Sequence, residues 1–327
     1  MKLLVTGGAG FIGSHFVRTV LAGGYPALTG ADLTVLDKLT YAGNPENLPA
    51  GANLVVGDIT DPALLRRVVP GHDAVVHFAA ESHVDRSLTD PAAFVTTNVL
   101  GTQLLLDACV AAGVSRVVHV STDEVYGSIN EGAWTETWPL LPNSPYAASK
   151  AASDLIARAY WRTHGLPVSI TRCSNNYGPY QHPEKLIPHF ITRLLNGLPV
   201  PLYGDGRNIR EWIHVDDHCR AVALVLTDGR PGEIYNVGGG TELTNRQITD
   251  ALLDLCQADP TLITYVEDRK GHDLRYALNG RKLQDELGFT CRVPFAEGLA
   301  ATVRWYTDNE PWWRPTLPVL APALAWP

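Results

Sequence analysis

The sequence predicts an α/β protein: a doubly wound parallel sheet with a smaller C-terminal substrate domain. Three observations predict it. Apolar strand-like runs alternate with amphipathic helical stretches through the first half of the chain. The strand-like runs are continuously apolar, as expected where helices cover both faces of a sheet. A glycine-rich turn separates the first such run from the first helical stretch.

Taken in order, Leu3–Thr6, Leu33–Asp37, Leu54–Gly57, Ala74–Ala79, Arg116–Ser121 and Val168–Thr171 read as strands. Phe11–Ala22, Pro62–Val69, Pro91–Ala112 and Ala147–Thr163 carry the helical period between them. Beyond Arg172 the pattern loosens and Pro and Gly crowd Gly178–Pro201, so a small domain is expected over the carboxyl ends of the strands. Ile234–Val237 is apolar enough to return to the main sheet. The expected division is therefore residues 1–172 for a dinucleotide-binding domain, with a returning strand near 233–238, and residues 173–327 mainly for substrate. Pro315–Pro327, with four prolines and no periodicity, reads as a loosely held tail.

The 327 residues suggest about two domains, and 45% hydrophobic against 18% charged residues excludes disorder and coiled coil. A net charge of -8 without a Lys/Arg cluster argues against nucleic acid. The five cysteines are scattered, with no Cys-x-x-Cys pair, as in a reducing compartment. The N-terminus runs straight into a strand without a signal-peptide core, and no apolar stretch reaches the ~18 residues of a membrane span. A soluble cytoplasmic protein is expected.

Gly7-Gly8-Ala9-Gly10-Phe11-Ile12-Gly13 has strand before it and helix after it. Gly7, Gly10 and Gly13 permit a tight turn, close approach to a pyrophosphate and close helix–strand packing, the Rossmann-like arrangement for a dinucleotide. Asp37, at the end of the second strand, is placed to accept hydrogen bonds from an adenosine ribose and to repel a 2′-phosphate. This favours NAD over NADP; neighbouring Lys38 pulls the other way, and a capping role is the alternative. Asp58 after the third strand suits either the adenine end or an N-cap.

Tyr146-Ala147-Ala148-Ser149-Lys150 puts Tyr146 and Lys150 on one helix face. An ammonium beside the phenol should draw its pKa from ~10 toward neutrality, so that Tyr146 takes a proton from an alcohol as hydride leaves the same carbon. Thr122, at the carboxyl end of its strand, is placed to hydrogen-bond the same oxygen. Asp123 and Glu124 follow it. Two adjacent carboxyls in different surroundings supply one acid and one base. A carboxylate can take a proton made acidic by a neighbouring ketone, and a carboxylic acid can protonate a poor leaving group, so such a pair suits an elimination.

These residues resemble the extended short-chain dehydrogenase/reductases that act on nucleotide sugars. Within them, Thr122–Gly127, Tyr41–Asn44, Phe78–Ser87 and Ser174–Gln181 resemble the dTDP-glucose 4,6-dehydratase family. The likeness runs to about Tyr306 and weakens toward the C-terminus. It implies C4 oxidation, loss of water across C5 and C6, and hydride return to C6, with NAD regenerated. It assigns Glu124 as the base at C5 and Asp123 as the acid at C6. It places Phe11, Ile12, Asp37, Lys38, Leu39, Thr40, Asp58, Ile59, Phe78, Ala79, Ala80, Ser82, Thr97 and Asn176, with Tyr146 and Lys150, against NAD. It places Ser82, Thr122, Asn175, Lys185, Leu186, Ile187, Pro188, His189, Pro201, Leu202, Tyr203, Arg210, Asn245, Asp268, Arg269 and His272 against the sugar nucleotide. Arg210 and Arg269 suit the diphosphate, and Tyr203 suits either thymine stacking or simple packing. It also implies a homodimer through a four-helix interface of Pro91–Ala112 and Tyr146–Thr163.

No metal is expected. His214-x-x-x-His218 has helix spacing for one but lacks a third ligand, and Asp216 or Asp217 capping the following helix is the preferred reading. His83 reads as a structural residue. The competing functions are a dehydratase of UDP-glucose and a non-enzymatic NAD-sensing regulator. GDP-mannose dehydratases, with a preference for NADP and another glycine loop, resemble the chain less.

Overall fold

The computed structural model describes residues 1–316, so all but the first two residues of the tail lie outside the described residues. Seven parallel strands form the main sheet: β1 (Lys2–Thr6), β2 (Asp32–Asp37), β3 (Asn53–Val56), β4 (Ala74–His77), β5 (Arg116–Thr122), β6 (Val168–Cys173) and β10 (Ile234–Val237). Their spatial order is β3-β2-β1-β4-β5-β6-β10. The direction of winding reverses between β1 and β4, the position where open α/β sheets bind ligands. On one face Leu3, Val5 and Val35 pack with Phe16, Val17 and Val222. On the other, Leu4, Leu36 and Val75 pack with Leu65, Leu105 and Leu106. Both faces are covered, which is why the strands are continuously apolar.

Ile234–Val237 lies parallel to β6, with Ile234 opposite Ile170 and Val237 opposite Cys173. Between these strands the chain builds a sheet of β7 (Asn175–Tyr177) and β9 (Ile209–His214), joined by β11 (Thr241–Thr244). A two-stranded ribbon pairs β8 (Val200–Tyr203) with β12 (Ile263–Val266). Its own core gathers Ile187, Phe190, Ile248, Leu252, Tyr306 and Trp313.

Pro91–Ala112 corrects one expectation. It is a continuous helix of 22 residues with a mean hydropathy of 1.3 in its best window, long and apolar enough to cross a membrane by length and composition. Thr, Asn, Gln and Gly interrupt the run, so a search for unbroken apolar residues passes over it. Its Phe94, Leu105, Leu106 and Cys109 are buried in the fold, while Val95, Leu100 and Val110 are exposed.

The helix after β9 corrects another. Its N-cap is His214, whose Nδ1 accepts from the Asp216 N–H. Asp216 pairs instead with His15, and Asp217 accepts the backbone N–H groups of Arg292 and Val293. An imidazole at the cap leaves both carboxylates for partners far along the chain. His218 Nδ1 bonds the Asn176 Oδ1 at 2.9 Å, so the two histidines serve different neighbours. His83 caps the short helix Val84–Thr89.

Candidate active site

The carboxyl ends of β1, β2, β4, β5 and β6 open into one cavity of about 340 Å³. The glycine turn forms its floor. A Cβ on Gly7 would stand 2.5 Å from the Ala79 nitrogen, and one on Gly13 would stand 2.2 Å from the Gly7 carbonyl oxygen. Gly7 also has φ +70°, which L side chains disfavour. No side chain caps the first helix, Phe11–Leu21, so its leading N–H groups and dipole are left for an anion. These features fit a pyrophosphate.

Asp37 accepts from the Ala9 N–H at 2.9 Å and the Leu39 N–H at 2.8 Å. Burial raises its pKa, and those two bonds oppose the rise. The carboxylate thus holds the glycine turn while keeping lone pairs for a ribose. Lys38 is neutralised by Asp58 at 2.6 Å, which removes the cation that argued for a 2′-phosphate.

At the far end of the cavity, Thr122 donates to Asp123 Oδ1 at 3.1 Å. The Asp123 Oδ2 is buried without a partner. Burial, then Glu124 and Glu211, hold this carboxyl well above its usual range, which favours the protonated acid. Glu124 is also raised by burial, but Arg269, Arg210 and Lys185 pull it back. Two neighbouring carboxyls are therefore separated by their surroundings, one held as acid and one drawn toward base.

Tyr146 differs from the sequence expectation. Burial and then the Glu124 charge push the phenol well above its ordinary value, against a hydrogen bond from Thr122. Lys150 Nζ donates to the Val120 carbonyl at 2.8 Å, and burial lowers its pKa to about 8. Spacing alone put the ammonium beside the phenol; it did not include the desolvation of a residue 8% exposed.

Nearly all of the sites expected for a dinucleotide line this cavity, Leu39 excepted, and so do Thr122, Asp123, Glu124, Tyr146 and Lys150. Of those expected for the sugar nucleotide, Ser82, Asn175, Lys185, Leu186 and Ile187 line it, while Pro188 and His189 do not. Pro201, Leu202, Tyr203, Arg210, Asn245, Asp268, Arg269 and His272 stand outside its wall. Part of this outer group is one cluster: Tyr203 OH and Arg269 reach Asp85 at 3.4 and 3.5 Å, and His272 bonds Asp268 at 2.6 Å. Arg210 lies over the Tyr276 ring and donates to the Asp273 carbonyl at 3.0 Å. Sequence reasoning missed Glu184, His182 and Trp212 as lining residues. Glu184 adjoins Lys185, but nothing local marks it as a buried carboxylate. Among the described residues no group of three His, Cys, Asp or Glu side chains is placed to hold a metal ion.

A winding reversal above a glycine turn, with Thr122 at a strand end and Tyr146 and Lys150 on the helix Pro145–His164, defines a dinucleotide-dependent enzyme of the extended short-chain dehydrogenase/reductase class. Residues 4–302 match the family described as GDP-mannose 4,6 dehydratase, and the chain belongs to that family. It is 58% identical over 320 residues to the dTDP-glucose 4,6-dehydratase of Streptomyces niveus, covering 96% of this chain and 95% of the relative. It is 60% identical over 321 residues to the enzyme of the same name from Streptomyces antibioticus, with 96% and 95% covered. Among solved structures, DesIV of Streptomyces venezuelae, a dTDP-glucose 4,6-dehydratase with NAD and TYD bound, superposes with a TM-score of 0.96. It is 64% identical, with 97% of this chain and 100% of that one covered.

Proposed function

We infer that this chain converts dTDP-glucose to dTDP-4-keto-6-deoxyglucose and water, as a hydro-lyase that uses NAD. The observation that carries the reading is the separation of Asp123 from Glu124 beside Thr122, Tyr146 and Lys150. When bound, NAD supplies the hydride acceptor for C4 and the hydride donor for C6. Gly7, Gly10 and Gly13, Asp37 and the N-terminus of the first helix would hold it.

Thr122 and Tyr146 orient the C4 hydroxyl, and Tyr146, on one helix face with Lys150, receives its proton. Glu124 then withdraws the C5 proton, which the new C4 ketone has acidified. Protonated Asp123 gives its proton to the C6 oxygen, and water departs. A 4-epimerase has no need of this acid–base pair. The division of labour that accompanies this reading gives residues 1–172 and the strand near 233–238 to NAD, and most of 173–327 to the sugar nucleotide.

Incubation with dTDP-glucose, UDP-glucose and GDP-mannose tests the proposal. Alkali-shifted absorbance of a 4-keto product should appear with dTDP-glucose, and a faster rate with either other substrate would overturn the assignment. We further propose a cytoplasmic homodimer. All five cysteines are unpaired, and Val95, Leu100 and Val110 on one long helix and Leu155 on the next form exposed apolar surface suited to a four-helix contact. Sedimentation at the mass of a single chain would refute the dimer.

A further inference from the structure

Two segments far apart in the chain meet along the wall of the cavity. Thr40, Ala42 and Gly43 come from the loop after β2, and Gln181, His182 and Glu184 come from the start of the substrate half. Neither segment carries the proposed chemistry. Each is joined to the other by an arginine from a third place.

Arg86 pairs its Nε with Glu184 Oε2 at 3.1 Å and lays its guanidinium 3.8 Å from the centroid of the Tyr41 ring. Tyr41 meets the His182 ring edge-on at 5.5 Å. The Glu184 side chain is only 3% exposed, so the ion pair is shielded on that side. Arg18 repeats the arrangement one loop further on. Its Nη1 donates to the Asn47 carbonyl at 2.6 Å, and its guanidinium lies 4.0 Å from the centroid of Tyr180. Asn47 is itself tied to the glycine turn, donating from Nδ2 to the Ala9 carbonyl at 2.8 Å. Each arginine thus joins the 41–47 loop to the 180–184 segment by one charge-assisted bond and one cation–π contact.

We propose that Arg18 and Arg86 are positioning residues that clasp these two segments shut over the dinucleotide, so that it stays bound from one turnover to the next. The proposal rests on the reading of the cavity as an NAD site. A reaction that returns its hydride to the substrate gains nothing from releasing the cofactor, and a bridge outside the reacting centre retains it without touching the chemistry. Lys in place of Arg keeps the charge but loses the planar fork and the ring-stacking face.

The test is the release of NAD from the full-length protein. Wild type, Arg86→Ala, Arg86→Lys and Arg18→Ala are loaded with NAD and desalted, and the nucleotide remaining bound is followed over time. Either alanine variant should release NAD at least ~10-fold faster, with affinity by calorimetry falling in proportion and Arg86→Lys in between. With NAD in excess, kcat for dTDP-glucose should stay within about threefold of wild type, because neither arginine faces the reacting atoms. Equal release rates for wild type and both alanine variants would overturn the clasp. Wild type that binds no NAD would instead overturn the cofactor reading. Should an alanine variant fail to fold, hydrogen exchange on wild type decides: NAD should slow residues 40–47 and 180–184 together, and protection of one segment alone refutes the proposal.

Discussion

Asp123 and Glu124 adjoin in sequence, yet their carboxyls meet different fields. Burial raises both; Glu124 and Glu211 raise Asp123 further against Arg210, whereas Arg269, Arg210 and Lys185 draw Glu124 back against Asp273. Replacing both by their amides, Asp123→Asn with Glu124→Gln, keeps shape and removes the titrating groups. That variant should still oxidise dTDP-glucose at C4 and accumulate the absorbance of reduced nicotinamide, while dehydration slows by ~100- to 10,000-fold or more. Product formed at near wild-type speed would reduce the pair to a helix cap.

Tyr146→Phe should suppress the oxidation itself, by ~100- to 10,000-fold in a single turnover. Since Phe fills the same space, the melting temperature should change little. Unaltered hydride transfer would remove Tyr146 from the chemistry.

Gly13→Ala should separate cofactor binding from catalysis. Its Cβ would lie 2.2 Å from the Gly7 oxygen and 2.9 Å from the Gly8 Cα, all backbone that cannot swing aside. The turn must open, at a cost of about 1–3 kcal/mol in strain. NAD affinity should fall at least tenfold by calorimetry; an affinity equal to wild type would show that the turn does not shape the site.

Acid should weaken the fold through its buried histidines, against a smaller opposing gain from the raised carboxyls of Asp123 and Glu124. Burial lowers His83 and His189 to about 4 and His218 to about 3, from an ordinary 6.5. Below pH 6.5 the unfolded chain takes up these protons and the folded chain does not. Stability therefore falls as pH drops from 6.5 toward the folded values, by up to about 1.4 kcal/mol per pH unit for each histidine. Urea unfolding at pH 7 and pH 5 measures the loss, and His218→Gln should reduce it by that one histidine's share. Equal midpoints at the two pH values would contradict the burial of these rings as neutral groups.

The sheet, the glycine turn and the Asp123–Glu124 pair were legible because each is written in a few consecutive residues. Strand edges moved by one or two positions, as at Ala74–His77, where the chain bends into the cavity after its last ladder bond. Arg18, Arg86 and the His214 cap were not legible. The arginines find their partners 29 to 162 positions away (Asn47 and Tyr180 about Arg18), and the cap lies in a ring nitrogen whose role only the fold sets. Tyr146 shows the same limit from another side. Spacing gives its neighbour but not the desolvation that opposes ionisation.

The returning strand β10 has a consequence for any attempt to divide the chain. A fragment ending at residue 172 would keep the glycine turn and the Tyr146–Lys150 helix but strip β6 of the neighbour that pairs with Ile170 and Thr171. Its bared backbone would present an unpaired ladder to any other copy. Such a fragment should self-associate through that edge rather than persist as a minimal nucleotide binder, so a cut after β6 is not a neutral place to divide the chain.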